Sequence, residues 1–129
     1  MRTWLRRAAI LGSLPTAGMV VCSAALAASY TFAADFAHKL DSGSWSQGPG
    51  SDTFTFHCTA KVGEQYTVIL FKENFFADTN EGSATFTCDG ADDRKTWTNL
   101  PGDDYHFTLT KSQDNVHIKG SGTVTHPGT

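Results

Sequence analysis

Cysteine, histidine and clustered carboxylates are the residues of this chain whose types and spacing could do chemistry. Cys58 and Cys88 each close a short run in which large apolar residues alternate with polar ones, Phe54-Thr55-Phe56-His57-Cys58 and Ala84-Thr85-Phe86-Thr87-Cys88. On a strand each cysteine points where the phenylalanines point, into the core. A lone inward-facing pair on an exported chain reads as one buried disulfide, which removes both sulfurs as thiolate nucleophiles.

His38, His57, His106, His117 and His126 are scattered. His57, His106 and His117 fall on the polar parity of their strands, so neighbouring strands would bring them together on an outer face. Three histidines with an open position can hold Zn²⁺, but none of the spacings has the short repeat of a metal motif, and tolerated surface histidines are the favoured reading. Asp89, Asp92 and Asp93 share one turn, and Asp103 and Asp104 another. Asp78-Thr79-Asn80-Glu81-Gly82 opens like a calcium loop, without the distal bidentate Glu that such a loop needs. These read as turn formers and solubilising charges. No serine sits in a Gly-x-Ser-x-Gly elbow. We therefore expect no catalytic residue, no metal and no cofactor.

The start of the chain reads as a secretory signal over residues 1–27. Arg2, Arg6 and Arg7 precede an apolar stretch, and Ala25-Leu26-Ala27 supplies a small-x-small cleavage site. Pro15, Gly12 and Gly18 argue against a spanning helix, and bulky Val21 before Cys22 argues against lipidation. Without the three leader arginines, seven basic residues face thirteen acidic ones, a net charge of about −6. Such a domain repels phosphate backbones and anionic membranes, so neither nucleic acid nor, after cleavage, a membrane is an expected partner. The expected location is extracellular.

The elements that must position these residues follow from alternation. Short strands are predicted at Thr53 to Thr59, Gln65 to Lys72, Ser83 to Cys88, Lys95 to Asn99, Tyr105 to Lys111 and Val116 to Thr125. The second is apolar on both parities and predicts a strand covered on both faces. Turn residues fall between them, as in Asn80-Glu81-Gly82, Asp89-Gly90 and Pro101-Gly102. The fold class predicted is all-β, a single small β-sandwich of about six to eight short antiparallel strands over residues 52–129. Residues 28–51 read as an extended arm. Tyr30-Thr31-Phe32 suggests a short strand, Ala33 to Leu40 looks weakly helical, and Ser42 to Ser51 has the Gly/Ser/Pro composition of a linker. A bond between Cys58 and Cys88 would either pin two sheets or link neighbouring strands.

The stretch from Trp97 to Leu109, with its Leu100-Pro101-Gly102 turn and Tyr105-x-Phe107, resembles a β-corner pattern of immunoglobulin-like and transthyretin-like secreted domains. The whole chain is similar, in leader style and Thr/Gly/Asp-rich composition, to the small exported disulfide-bonded β-proteins of actinobacteria, a group that includes inhibitors, chromophore carriers and toxin-complex subunits. The resemblance implies a fold class and a habitat. The two-disulfide pattern of the better-known inhibitor and carrier families is missing here, so their functional residues do not transfer.

Aromatic residues outside the core pattern carry the functional expectation. Phe75 and Phe76 lie between Lys72-Glu73-Asn74 and a polar turn, and Trp45 lies in the arm with no predicted strand to bury it. Exposed aromatics on loops anchor protein partners. The leading expectation is a secreted, non-catalytic binding module working through Phe75, Phe76 and Trp45, as an adaptor or accessory subunit of an extracellular, antagonistic assembly. An inhibitor of a secreted hydrolase and a carrier of a small apolar ligand are the alternatives.

Overall fold

The computed structural model describes residues 26–59 and 63–129. Cys22 and all but the last two residues of the expected leader lie outside the described residues. Nine strands follow in order: β1 Ala27–Phe36, β2 Lys39–Asp41, β3 Trp45–Gln47, β4 Gly50–Cys58, β5 Gln65–Lys72, β6 Thr79–Thr87, β7 Asp92–Leu100, β8 Asp103–Thr110 and β9 Ile118–Pro127. One antiparallel sheet has the order β1-β9-β4-β7; the other has the order β2-β8-β5-β6, with β3 paired to β8 beyond β2. The fold is an all-β sandwich.

The strand count exceeds the six to eight expected because the predicted arm is part of the sandwich. β1 pairs with β9 along its whole length, from Ala27↔Pro127 to Phe36↔Ile118. The weakly helical look of Ala33 to Leu40 is thus overturned. β2 and β3 both pair with β8, through Leu40↔Leu109 and Trp45↔Tyr105. The linker-like composition between Ser42 and Ser51 serves a break between β2 and β3 along one edge of β8, and one crossing from β3 to β4 in the other sheet, rather than a tether.

The two sheets meet over aromatic side chains. Phe32 stacks on Phe54 and Phe56, each at 5.8 Å between ring centroids, and meets Phe107 from the opposite sheet at 4.8 Å. The glycines of β9 make room for this layer. A Cβ on Gly122 would stand 2.5 Å from Phe32 Cζ, and one on Gly120 2.8 Å from Phe56 Cζ. Such rings contribute a large share of the apolar area that stabilises a small core. β5 is central in its sheet but covered on one face only: Tyr66, Val68 and Leu70 are buried, while Thr67, Ile69 and Phe71 are half-exposed on the outer side.

Cys58, at the end of β4, bonds Cys88, just after β6, with Cα atoms 5.5 Å apart. The bond therefore pins one sheet to the other. Where the chain crosses from β7 to β8, the buried Tyr105 hydroxyl donates to the Pro101 carbonyl at 2.6 Å. The bond ties the start of β8 back to the turn that leads into it.

Candidate functional site

Strand directions divide the sandwich into two ends. The turn from β5 to β6, the β3–β4 crossing and the β7–β8 corner lie at one; the disulfide and the β8–β9 connection lie at the other. Phe75 and Phe76 sit on the β5–β6 turn, 93% and 94% exposed. Their rings meet edge to face with centroids 4.8 Å apart, so they project as one wedge.

The turn beneath the wedge is braced by its own polar residues. The Asn74 backbone N–H donates to Asp78 Oδ1 at 3.3 Å, and its Nδ2 donates to the Ala77 carbonyl at 3.0 Å and to the Thr79 hydroxyl. Glu73 ties the turn to β8: its N–H donates to the Asp104 carbonyl at 2.9 Å, and its carboxylate accepts from His106 Nδ1 at 2.9 Å and from the Ser44 hydroxyl. The other nitrogen of His106, Nε2, faces Asp78 Oδ2 at 3.9 Å. The imidazole thus spans both ends of the turn while stacking on Phe71 at 5.3 Å. Two large apolar side chains thus stand in water on a turn that a frame of hydrogen bonds holds in place.

Trp45 does not join them. It is 7% exposed, stacked on His126 at 5.6 Å and packed on Tyr30 at 5.3 Å, and its indole N–H donates to Gln47 Oε1 at 2.8 Å. The expectation of an exposed anchor fails here because β3 is three residues long and turns both Trp45 and Gln47 inward. Trp45 is a core residue.

Beneath this end lies a group that the aromatic pattern did not flag. Asp52 is fully buried, and neither of its carboxylate oxygens has a hydrogen-bond partner among the described residues. Burial pushes its pKa up to about 6, against the smaller opposing effects of the Gln47 side chain and His126. The signal was available in parity: Asp52 shares the inward register of Phe54 and Phe56.

The histidines do not meet. His57 Nδ1 donates to Asp92 at 2.9 Å on the outer face of the β1-β9-β4-β7 sheet, His117 Nδ1 donates to Asp35 at 2.6 Å, and His106 serves the β5–β6 turn on the other sheet. Among the described residues, no group of three or more His, Cys, Asp or Glu side chains is placed to hold a metal. Asp92, His57 and Ser121 do share one cross-strand row, beside an open depression of about 390 Å³ that also touches Thr31, Thr55 and Thr123. Among the described residues no hydrogen bond links Ser121 to His57. The backbone of β4 and β9 is committed to neighbouring strands on both sides, which leaves no N–H pair to stabilise an oxyanion.

At the far end, Lys111 has a fully buried side chain whose ammonium donates to the carbonyls of Ala37 and Ser112 and pairs with Glu64 at 3.2 Å and with Asp114. Burial lowers its pKa, and the bonds to Asp114 and Glu64 more than offset this, so the net direction is upward. The same bond holds Asp114 down at about 2.

No family model matches the chain, and no curated protein matches it. Among solved structures it is similar to a CBM4 protein, at 11% identity and a TM-score of 0.40 over 75% of this chain and 60% of that one. It is also similar to the VP2 subviral particle of infectious bursal disease virus, at 16% identity and 0.36 over 95% of this chain and 38% of that one. A third likeness is to a family two carbohydrate esterase from Cellvibrio japonicus, at 14% identity and 0.33 over 81% of this chain and 35% of that one. The chain thus spans 60% or less of each of these proteins. None of these likenesses supports the narrower immunoglobulin-like, transthyretin-like or actinobacterial resemblance, and at TM-scores below 0.5 they carry no functional argument. The sandwich assignment rests on the strands and sheets themselves.

Proposed function

We propose that this chain is a secreted, non-catalytic binding module that engages another protein through the Phe75–Phe76 wedge, as an adaptor or accessory subunit of an extracellular assembly. The observation that carries this is the pair of rings, 93% and 94% exposed, on a turn tied down by Asn74, Glu73 and His106. Exposing two large apolar side chains on a rigid support gains nothing for folding, whereas burying them centrally in an interface is the pattern of a binding hot spot. The inter-sheet disulfide supports an oxidising compartment. Space for a carried ligand between the sheets finds no support, since Phe32, Phe54, Phe56 and Phe107 occupy that layer.

Pull-down from culture fluid tests this. The mature protein is expected to retain a partner that Phe75→Ala/Phe76→Ala loses. A wild-type protein that runs as a lone monomer and recovers nothing refutes the reading. Inhibition of a secreted hydrolase on titration with pure protein would instead make the wedge an inhibitory plug.

A further inference from the structure

We infer that the Phe75–Phe76 wedge enters an apolar pocket of a partner protein whose rim carries lysine or arginine. This rests on the reading above and specifies what the partner must offer. Two phenylalanine rings bury roughly 300–500 Å² at most, whereas a stable interface needs about 800 Å² from each side. The contact must therefore extend over what surrounds the wedge.

Those surroundings are acidic. Glu73 and Asp78 flank the rings in the turn itself. Asp103 and Asp104 lie beside it on β8, tied to it by the bond from the Glu73 N–H to the Asp104 carbonyl. Glu81 lies on the adjoining bulge of β6. Lys72, at the end of β5, and His106 stand against these five carboxylates. Any partner covering enough area takes several of these carboxylates out of water, and a desolvated carboxylate without a counter-charge is costly. Glu73 and Asp78 have His106 as an internal partner. The carboxylates of Asp103 and Glu81 make no ion pair with a described residue.

The same charges argue against other occupants. A second copy would bring an identical set of carboxylates to the contact, and like charges in apposition oppose association. An anionic lipid surface is repelled for the same reason, and the turn sets a single lysine, Lys72, beside the wedge, against the several basic residues that hold interfacial segments to such surfaces.

The test places a photo-crosslinker at the wedge, as Phe76→p-benzoylphenylalanine in the full mature protein, and maps the crosslinked residues by mass spectrometry after irradiation in culture fluid. The expected result is a crosslink to an apolar site in another protein with lysine or arginine within one side chain's reach. Capture should weaken about tenfold or more between about 0.05 and about 0.5 M NaCl. It should also weaken severalfold in Glu81→Gln/Asp103→Asn with the melting temperature unchanged. Four results overturn the inference while leaving the binding reading intact: wedge-dependent capture indifferent to salt and to that double variant, a crosslink to a site without cations, a crosslink to a second copy, or wedge-dependent sedimentation with phosphatidylcholine/phosphatidylglycerol vesicles. Absence of any crosslink, with Phe75→Ala/Phe76→Ala behaving as wild type in pull-down, overturns both.

Discussion

The two ends of this sandwich handle their polar groups in opposite ways. At the disulfide end, Cys58–Cys88 joins the sheets, and the Cys88 N–H and carbonyl are both taken, by the Glu64 carbonyl and the Gly63 N–H. Lys111 has four oxygen partners, and the Tyr66 hydroxyl donates to Asp93 at 2.5 Å. Burial raises the Asp93 pKa against this bond, and burial together with Asp93 raises that of Tyr66. At the wedge end, the buried Asp52 carboxylate has no hydrogen-bond partner among the described residues, and two phenylalanines stand in water. Departures from good folding practice gather where a structure serves something other than stability.

Substitutions can break this contrast, and they are taken here in order of expected loss of stability. Trp45→Ala should cost about 3–5 kcal/mol, the usual penalty for emptying an aromatic core site. A denaturation midpoint within error of wild type would restore Trp45 to the surface. Cys58→Ala/Cys88→Ala should cost roughly 3–4 kcal/mol, since the bond closes a loop of 30 residues. Against a total stability of order 5–15 kcal/mol, that brings the protein close to unfolding at 37 °C. A reduced protein with an unchanged melting temperature would remove the disulfide end from the comparison.

Asp52 should act through pH. Its folded pKa, about 6, lies above the ordinary 3.8. The folded state therefore binds the proton more tightly, and the contribution of this group is most favourable below about pH 4 and declines as pH rises to 6 and beyond. The loss between those limits is about 2–3 kcal/mol. Asp52→Asn should flatten the fall of stability between about pH 4 and 7 relative to wild type. Parallel pH profiles for the two proteins would contradict the burial argument. Asp114 works in the opposite sense. Held at about 2 by Lys111, it contributes stability above about pH 4 that is lost as pH falls toward 2. Asp114→Asn should blunt acid unfolding at the other end, and an unchanged acid limb would contradict that.

The smallest expected effect on folding comes from the wedge. Phe75→Ala/Phe76→Ala should change stability by less than about 0.5 kcal/mol, because neither ring is buried. A large destabilisation would show that the rings pack on their own domain.

Much of the central fold was legible. β5 has the predicted limits, Gln65 to Lys72, because a β-branched and aromatic run from Tyr66 to Phe71 is bounded on both sides by polar residues. The edge elements were not. β2 and β3 are three residues each, too short to show a period of two, and they exist because β8 offers them an edge. Phe75 and Phe76 were legible as exposed because they fall outside any strand pattern, whereas the bracing of their turn depends on Ser44 and His106, distant in sequence.

The order of residues by itself determined the alternating strands, the inward parity of Cys58 and Cys88, and the surplus of carboxylates, since each is a local property of spacing or composition. Only the tertiary structure decided that residues 27–47 belong to the sheets, that the disulfide joins one sheet to the other, that Trp45 is core, and that the three outer histidines each take a separate carboxylate. The physical reason is shared. Backbone pairing and side-chain contact in a sandwich join residues far apart in the chain, and no local pattern encodes which edge a short segment will find.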